Sequence, residues 1–110
     1  MTDSLSRQTL EEALTALKDR QAAYGSPVPN FERIRDLWNA YKKGSSFTTV
    51  DVAILMALVK VARLMETPSH PDSWVDLAGY AACGREVSAA KSVEKTYESK
   101  ASRGVTDYRI

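Results

Sequence analysis

The chain has one cysteine, Cys83, and one histidine, His70, in 110 residues. A lone cysteine excludes an internal disulfide framework, and its small apolar neighbours make a buried free thiol the plain expectation. One histidine cannot supply a His-rich metal site. A Gly-rich phosphate loop, a Ser-His-Asp set and Cys/His metal spacing are all missing, so the hydrolase and kinase chemistries that depend on them have no footing. Charge of one sign is equally scarce. Fifteen Lys and Arg stand against fourteen Asp and Glu, a formal net charge of +1. A duplex-DNA partner would demand a strong basic excess on one face and is not expected. The longest apolar run, Val52 to Val59, falls far short of the ~20 residues of a membrane span. The polar, acidic first residues do not resemble a signal peptide. These deficits lead to the expectation of a soluble, cytoplasmic protein with a reduced thiol and no membrane partner.

What is present is ordinary in amount and ordered in pattern. Hydrophobic residues make up 44% and charged residues 26%. A chain of this length holds one domain, residues 1–110, that buries somewhat over ~60% of its unfolded surface. That leaves little stability margin, which homo-oligomerisation would relieve.

The apolar residues recur at helical spacing throughout, with no β alternation, repeat or low-complexity segment. Leu10, Ala13, Leu14 and Leu17 form the stripe of a first helix, with Ser6 or Thr9 as its cap and Gly25 as its stop. Pro27 and Pro29 predict extended backbone before a second helix capped by Asn30. Phe31, Ile34, Leu37, Trp38 and Tyr41 line one face of that helix, and Gly44 closes it. Thr48 and Asp51 form a capping-box pair for a third helix, Val50 to Met65, apolar on nearly every side and therefore placed at the bundle centre. A linker with Pro68 and Pro71 precedes a fourth helix, capped by Asp72 or Ser73. Trp74, Leu77, Ala78, Ala81 and Ala82 supply its inner face. Ala90, Val93 and Tyr97 carry the pattern on toward Lys100, so the ordered core spans about 7–100 and residues 102–110 form a flexible tail. Short connections favour an all-α, antiparallel four-helix bundle.

In an up-down-up-down bundle, the Tyr24–Asn30 and Glu66–Asp72 loops share one end. Arg63 and Asp76 would then face each other, with Lys60 one turn deeper beside Tyr80, and Arg20 and Tyr24 arriving on the first helix. Asp51 lies at the far end. Two cations three residues apart hold a phosphate well, Arg as a fork and Lys as a point charge. Asp72 and Asp76, four apart on one face, suit a magnesium ion shared with substrate phosphates. The structural alternative weighs about equally: Asp76 as the acidic partner of a Ser73 cap, and Arg63 paired with Asp72 or Asp76 to neutralise charge near the core. Lys60 fits that alternative less easily, because a lysine amid apolar residues needs an anion or a carboxylate. Tyr80 and the tryptophans suit the core better than base stacking, whereas Tyr24 sits at a loop. His70, between prolines, reads as a surface residue.

The separated runs Asp19-Arg-Gln-Ala-Ala-Tyr-Gly25, Asn30-Phe31 through Leu37-Trp38, Asp51-Val-Ala, Lys60-Val-Ala-Arg63, Asp72-Ser73 and Asp76-Leu-Ala-Gly-Tyr80 carry a resemblance. They resemble a family of small phage and prophage proteins known only as a domain of unknown function, over roughly Leu10 to Glu86. That family is similar to nucleotide-modification-associated domains and, remotely, to MazG-like all-α nucleoside triphosphate pyrophosphatases. The resemblance implies a phage protein in the host cytoplasm that acts on or binds nucleotides. MazG-like enzymes hold magnesium with acid clusters on two neighbouring helices. Here Asp72 and Asp76 match one half, while Lys60 and Arg63 stand where glutamates are needed and Glu66 is the sole nearby acid. The leading expectation is a non-catalytic, oligomeric protein that binds a nucleotide or nucleotide-derived signal by its phosphates. Lys60, Arg63, Tyr24, Asn30, Asp72, Asp76, Tyr80 and Arg20 would form its site. Such a protein would suit sequestering a host immune signal or handling modified nucleotides. A magnesium-dependent pyrophosphohydrolase and a helical protein-interaction module are the alternatives.

Overall fold

The computed structural model describes residues 4–90, and all its regular structure there is helical. The helices are α1 (Leu5–Tyr24), α2 (Pro27–Tyr41), α3 (Thr49–Glu66) and α4 (Pro71–Ala89). The expected run toward Lys100 and the flexible tail fall outside the described residues.

One cap forms as anticipated. The Thr48 hydroxyl accepts from the Asp51 N–H at 3.1 Å, and the Asp51 carboxylate accepts from the Thr48 N–H at 3.0 Å. The reciprocal pair satisfies two donors that a helix start leaves orphaned. Gly25 likewise ends α1, with φ at +77°.

Three other helix starts differ from expectation. α1 begins a turn earlier, at a Ser4 cap, while Thr9 instead bonds back to the Leu5 carbonyl at 2.7 Å. α2 begins at Pro27 with Ser26 as cap, which puts Asn30 inside the helix. Both prolines are tolerated because first-turn N–H groups have no intrahelical acceptor to lose. Asn30 accepts from the Arg33 guanidinium at 3.4 Å instead. His70, not Asp72 or Ser73, caps α4. Its Nδ1 accepts from the Ser73 N–H at 3.3 Å and lies 2.9 Å from the Ser73 hydroxyl, which is buried.

α4 is the hub, packing on α1, α2 and α3, while α2 also packs on α3. Lys60 meets Asp76, and a Cβ on Gly84 would lie 3.2 Å from the Ala53 Cβ, so α3 and α4 pack on each other through these residues. The core is small: Phe31, Val52, Ala53 and Val87, with Val28, Ile34, Trp38, Val50, Met56, Tyr80 and Cys83 packed around them.

The position assigned to α3 needs correcting. Its inner side is covered by α2 and α4, but Ile54, Leu58, Val59, Val61 and Met65 are exposed. α1 also differs from its apolar stripe, for Ala13 is buried and Leu17 half-buried while Leu10 and Leu14 face outward. α1 packs on α4 with the small Ala13 as its buried residue, which leaves Leu10 and Leu14 on the outside.

Candidate functional site

The residues expected to form one site divide between two ends of α4. The Ser26 hydroxyl donates to the Glu86 carboxylate at 2.9 Å, so the α1–α2 turn rests against the C-terminal part of α4. The α3–α4 turn lies at its N-terminal end. Asp72 and Glu86 are fourteen residues apart, about 21 Å along a helix. Phe31 explains the difference: its place beside Val52 and Val87 seats the start of α2 near the beginning of α3 and the end of α4. Arg20, Tyr24 and Asn30 therefore do not converge with Arg63, Asp72 and Asp76.

At the N-terminal end of α4, Lys60 rather than Arg63 faces Asp76. The Lys60 Nζ lies 3.0 Å from the Asp76 carboxylate, with the lysine side chain 12% exposed and the aspartate 45%. Lys60 shares the inner arc of α3 with Val52, Ala53 and Leu64. Arg63 is exposed near the helix end, where its positive charge complements the helix dipole. Asp72 is exposed in the first turn of α4, favourable for the same reason. Tyr80, half-buried, packs on the core cluster. The awkward lysine thus has a carboxylate partner, which satisfies most of what burying its charge requires. Among the described residues no group of three or more His, Cys, Asp or Glu side chains is placed to hold a metal. A magnesium site would rest on Asp72 and Asp76 alone, with Asp76 already engaged.

At the other end, the Arg20 guanidinium stands 5.7 Å from the centroid of the Tyr24 ring, which is 78% exposed. This is a cation–π pair open to solvent. Nearby Cys83 is a free thiol whose pKa is raised, first by burial and then by the negative charge of Glu86, against an opposing pull from Arg20. Its thiolate is disfavoured, which suits a packing role better than a nucleophilic one.

A third feature escaped sequence reading. Trp38, Tyr41 and Lys42 of the α2 end, Phe47 of the following loop, and Leu55, Met56 and Val59 of α3 line an open groove of about 400 Å³. Trp38 and Phe47 meet edge to face, with centroids 5.5 Å apart. Asn39 fixes the loop, donating to the Phe47 carbonyl at 3.0 Å and accepting from the Phe47 N–H at 2.8 Å. The usable signal was the aromatic spacing 38, 41, 47 around a turn. Placing Trp38 in the core, with Tyr41 only on the same helix face, hides it.

The fold and these sites define an all-helical, bundle-type protein whose prominent surface features are apolar. The chain belongs to a family described as Domain of unknown function (DUF6378), whose model matches residues 8–88. It is similar to the Gene 55 protein of Mycobacterium phage L5, with 49% identity over 73 residues covering 66% of this chain and 46% of that protein. It is also similar to the Gene 55 protein of Mycobacterium phage D29, with 39% identity over 95 residues covering 86% of this chain and 56% of that protein. The chain spans about half the length of these curated relatives. No solved structure matches it. The phage character implied by the sequence runs is thereby supported. Among the described residues, no helix is long and apolar enough to cross a membrane.

Proposed function

We propose that this phage-type protein works by binding rather than by catalysis, as a helical interaction module that engages a protein partner through the α2–α3 groove. The observation that carries this reading is the groove itself: about 400 Å³, walled by Trp38, Tyr41, Phe47, Leu55, Met56 and Val59, with Lys42 as its charged neighbour. Ligand grooves typically run ~300–1,000 Å³ with mostly apolar walls and a few orienting polar groups. Aromatic side chains with one cation favour an apolar partner side chain followed by an acidic residue. Tyr41 is exposed and can be changed without disturbing the core. Wild-type full chain should retain a defined set of host-cell proteins in a pull-down, and Tyr41→Asp and Lys42→Glu should each lose that set. An unchanged set with both variants would refute the groove.

A second reading keeps the nucleotide. Arg20 over the exposed Tyr24 ring offers a cation beside a stacking platform, the chemistry of a base next to a phosphate. In this reading the protein binds a nucleotide or nucleotide-derived signal by its phosphates, sequestering it or serving nucleotide modification. Lys60 contributes less than its position promised, because Asp76 neutralises it. Thermal shift against mononucleotides and cyclic nucleotides, with and without magnesium, tests this. A shift abolished by Arg20→Ala locates the ligand at Tyr24, and one abolished by Arg63→Ala locates it at the α3 end. No shift removes the reading. The MazG-like pyrophosphohydrolase alternative requires pyrophosphate release in magnesium, and it has no acid cluster to build on among the described residues.

A further inference from the structure

The outer face of α3 carries Ile54, Leu58, Val61 and Met65, at 53%, 53%, 38% and 81% exposure. Their spacing of four, three and four residues is the a/d seam of a heptad repeat, which helices use to pack against each other side by side. The seam is flanked by Ala57 and Ala62, small enough to let another helix approach. No charged side chain interrupts it, since Lys60 is turned inward onto Asp76 and helical spacing brings Arg63 up on the opposite side of the helix from Ile54.

The seam is also symmetric about its own midpoint. Laid antiparallel on a second α3, Ile54 falls opposite Met65 and Leu58 opposite Val61, each pair occurring twice. A two-fold interface requires this kind of self-complementary patch. Beside Ile54, a groove of about 200 Å³ between α3 and α4, lined by Val50, Ala57, Tyr80 and Ala81, lies open to receive the flexible Met65. Opposed helix dipoles favour the same direction. The exposed parts of these four side chains form the apolar surface of the seam. At those exposures it is on the order of the roughly 300–600 Å² patches that mark interaction surfaces on monomers.

We propose that the outer face of α3 docks on the same face of a second copy of this chain, antiparallel and two-fold, with Ile54 against Met65 and Leu58 against Val61. This pairing is independent of the groove between α2 and α3, which uses other residues.

Sedimentation equilibrium of the full chain should give twice the 12.2 kDa chain mass at micromolar concentration. Leu58→Asp should raise the dimer dissociation constant by about 100-fold or more while keeping the far-ultraviolet helical signal. A monomeric wild type, or a Leu58→Asp chain that dimerises as well as wild type, would overturn the proposal. Should Leu58→Asp fail to fold, cysteine pairing decides the matter in a Cys83→Ser background. Chains carrying Leu58→Cys and chains carrying Val61→Cys should form a disulfide-linked dimer on oxidation only when mixed. Either variant cross-linking alone as efficiently as the mixture signifies a parallel seam and refutes the register. No cross-link in any combination refutes the face.

Discussion

The two sides of α3 are drawn from the same residue types and have different fates. On the inner side Val52 is fully buried and Ala53 nearly so, and even a lysine is accommodated because Asp76 reaches it from α4. On the outer side larger side chains, Ile54, Leu58 and Met65, stand in solvent. Hydrophobicity alone therefore does not say which side of a helix a fold covers. What decides it is the neighbour's ability to come close, and α4 supplies that with Gly84 against Ala53.

The sharpest way to break the contrast is to place the same charge on each side. Val52→Asp buries an unpaired carboxylate and should cost about 4 kcal/mol or more. Leu58→Asp should cost under about 1 kcal/mol once the chain is dilute enough to be monomeric. Urea denaturation of both, over a range of concentrations, compares them directly. Comparable losses would erase the distinction between the faces.

Glycines on α4 give the next largest effect. Gly84→Val drives a branched side chain into Ala53 and should destabilise by roughly 1–3 kcal/mol. Gly79, whose added Cβ would meet nothing within 4 Å, should behave oppositely. Gly79→Ala should stabilise by up to about 1 kcal/mol through helix propensity. Thermal melts of the pair separate close approach from mere helical residence.

Lys60 probes whether the inner side needs its charge. Lys60→Met keeps the stem's packing and removes the ion pair, leaving a half-exposed Asp76 that water can serve. Stability should change by no more than about 1 kcal/mol. A larger loss in chemical denaturation would mean that the pair holds α3 to α4.

The smallest effect is read by chemistry rather than stability. Burial and Glu86 disfavour the Cys83 thiolate. Alkylation at pH 8 should therefore be slower by about ten-fold in the folded chain than in urea. Glu86→Gln removes a raising charge and should speed the folded reaction, while Arg20→Gln removes a lowering one and should slow it. Because the folded thiol titrates above its unfolded range, its contribution to stability is present below that range and is lost as pH rises through the folded value.

Local chemistry was well legible in the sequence. Four helices, the Thr48–Asp51 capping box, the Gly25 stop and the need of Lys60 for a partner all follow from spacing within a few residues. Ser4, Ser26 and His70 cap α1, α2 and α4 in place of Thr9, Asn30 and Ser73, because several polar residues compete for each helix start. Prolines at the first positions of α2 and α4 are as compatible with helix as with extended chain. The candidate site was far less legible. Bringing Tyr24 to Asp72 depended on which end of α4 receives the α1–α2 turn. That is decided by Phe31 packing against Val52 and Val87, a contact between residues far apart in sequence. The α2–α3 groove stayed hidden for the same reason: aromatic spacing predicts a face, not whether anything covers it.

The contact between Gly84 and Ala53 also acts as a detent. Sliding α4 along α3 by one turn, about 5.4 Å, would bring Tyr80 or Ser88 opposite Ala53, where there is no room for either. The α3–α4 pair therefore has a single rest position, and that position sets Asp76 level with Lys60. A partner that pulls on α3 from outside can tilt or lift it, but cannot ratchet it along α4 without first prising the two helices apart.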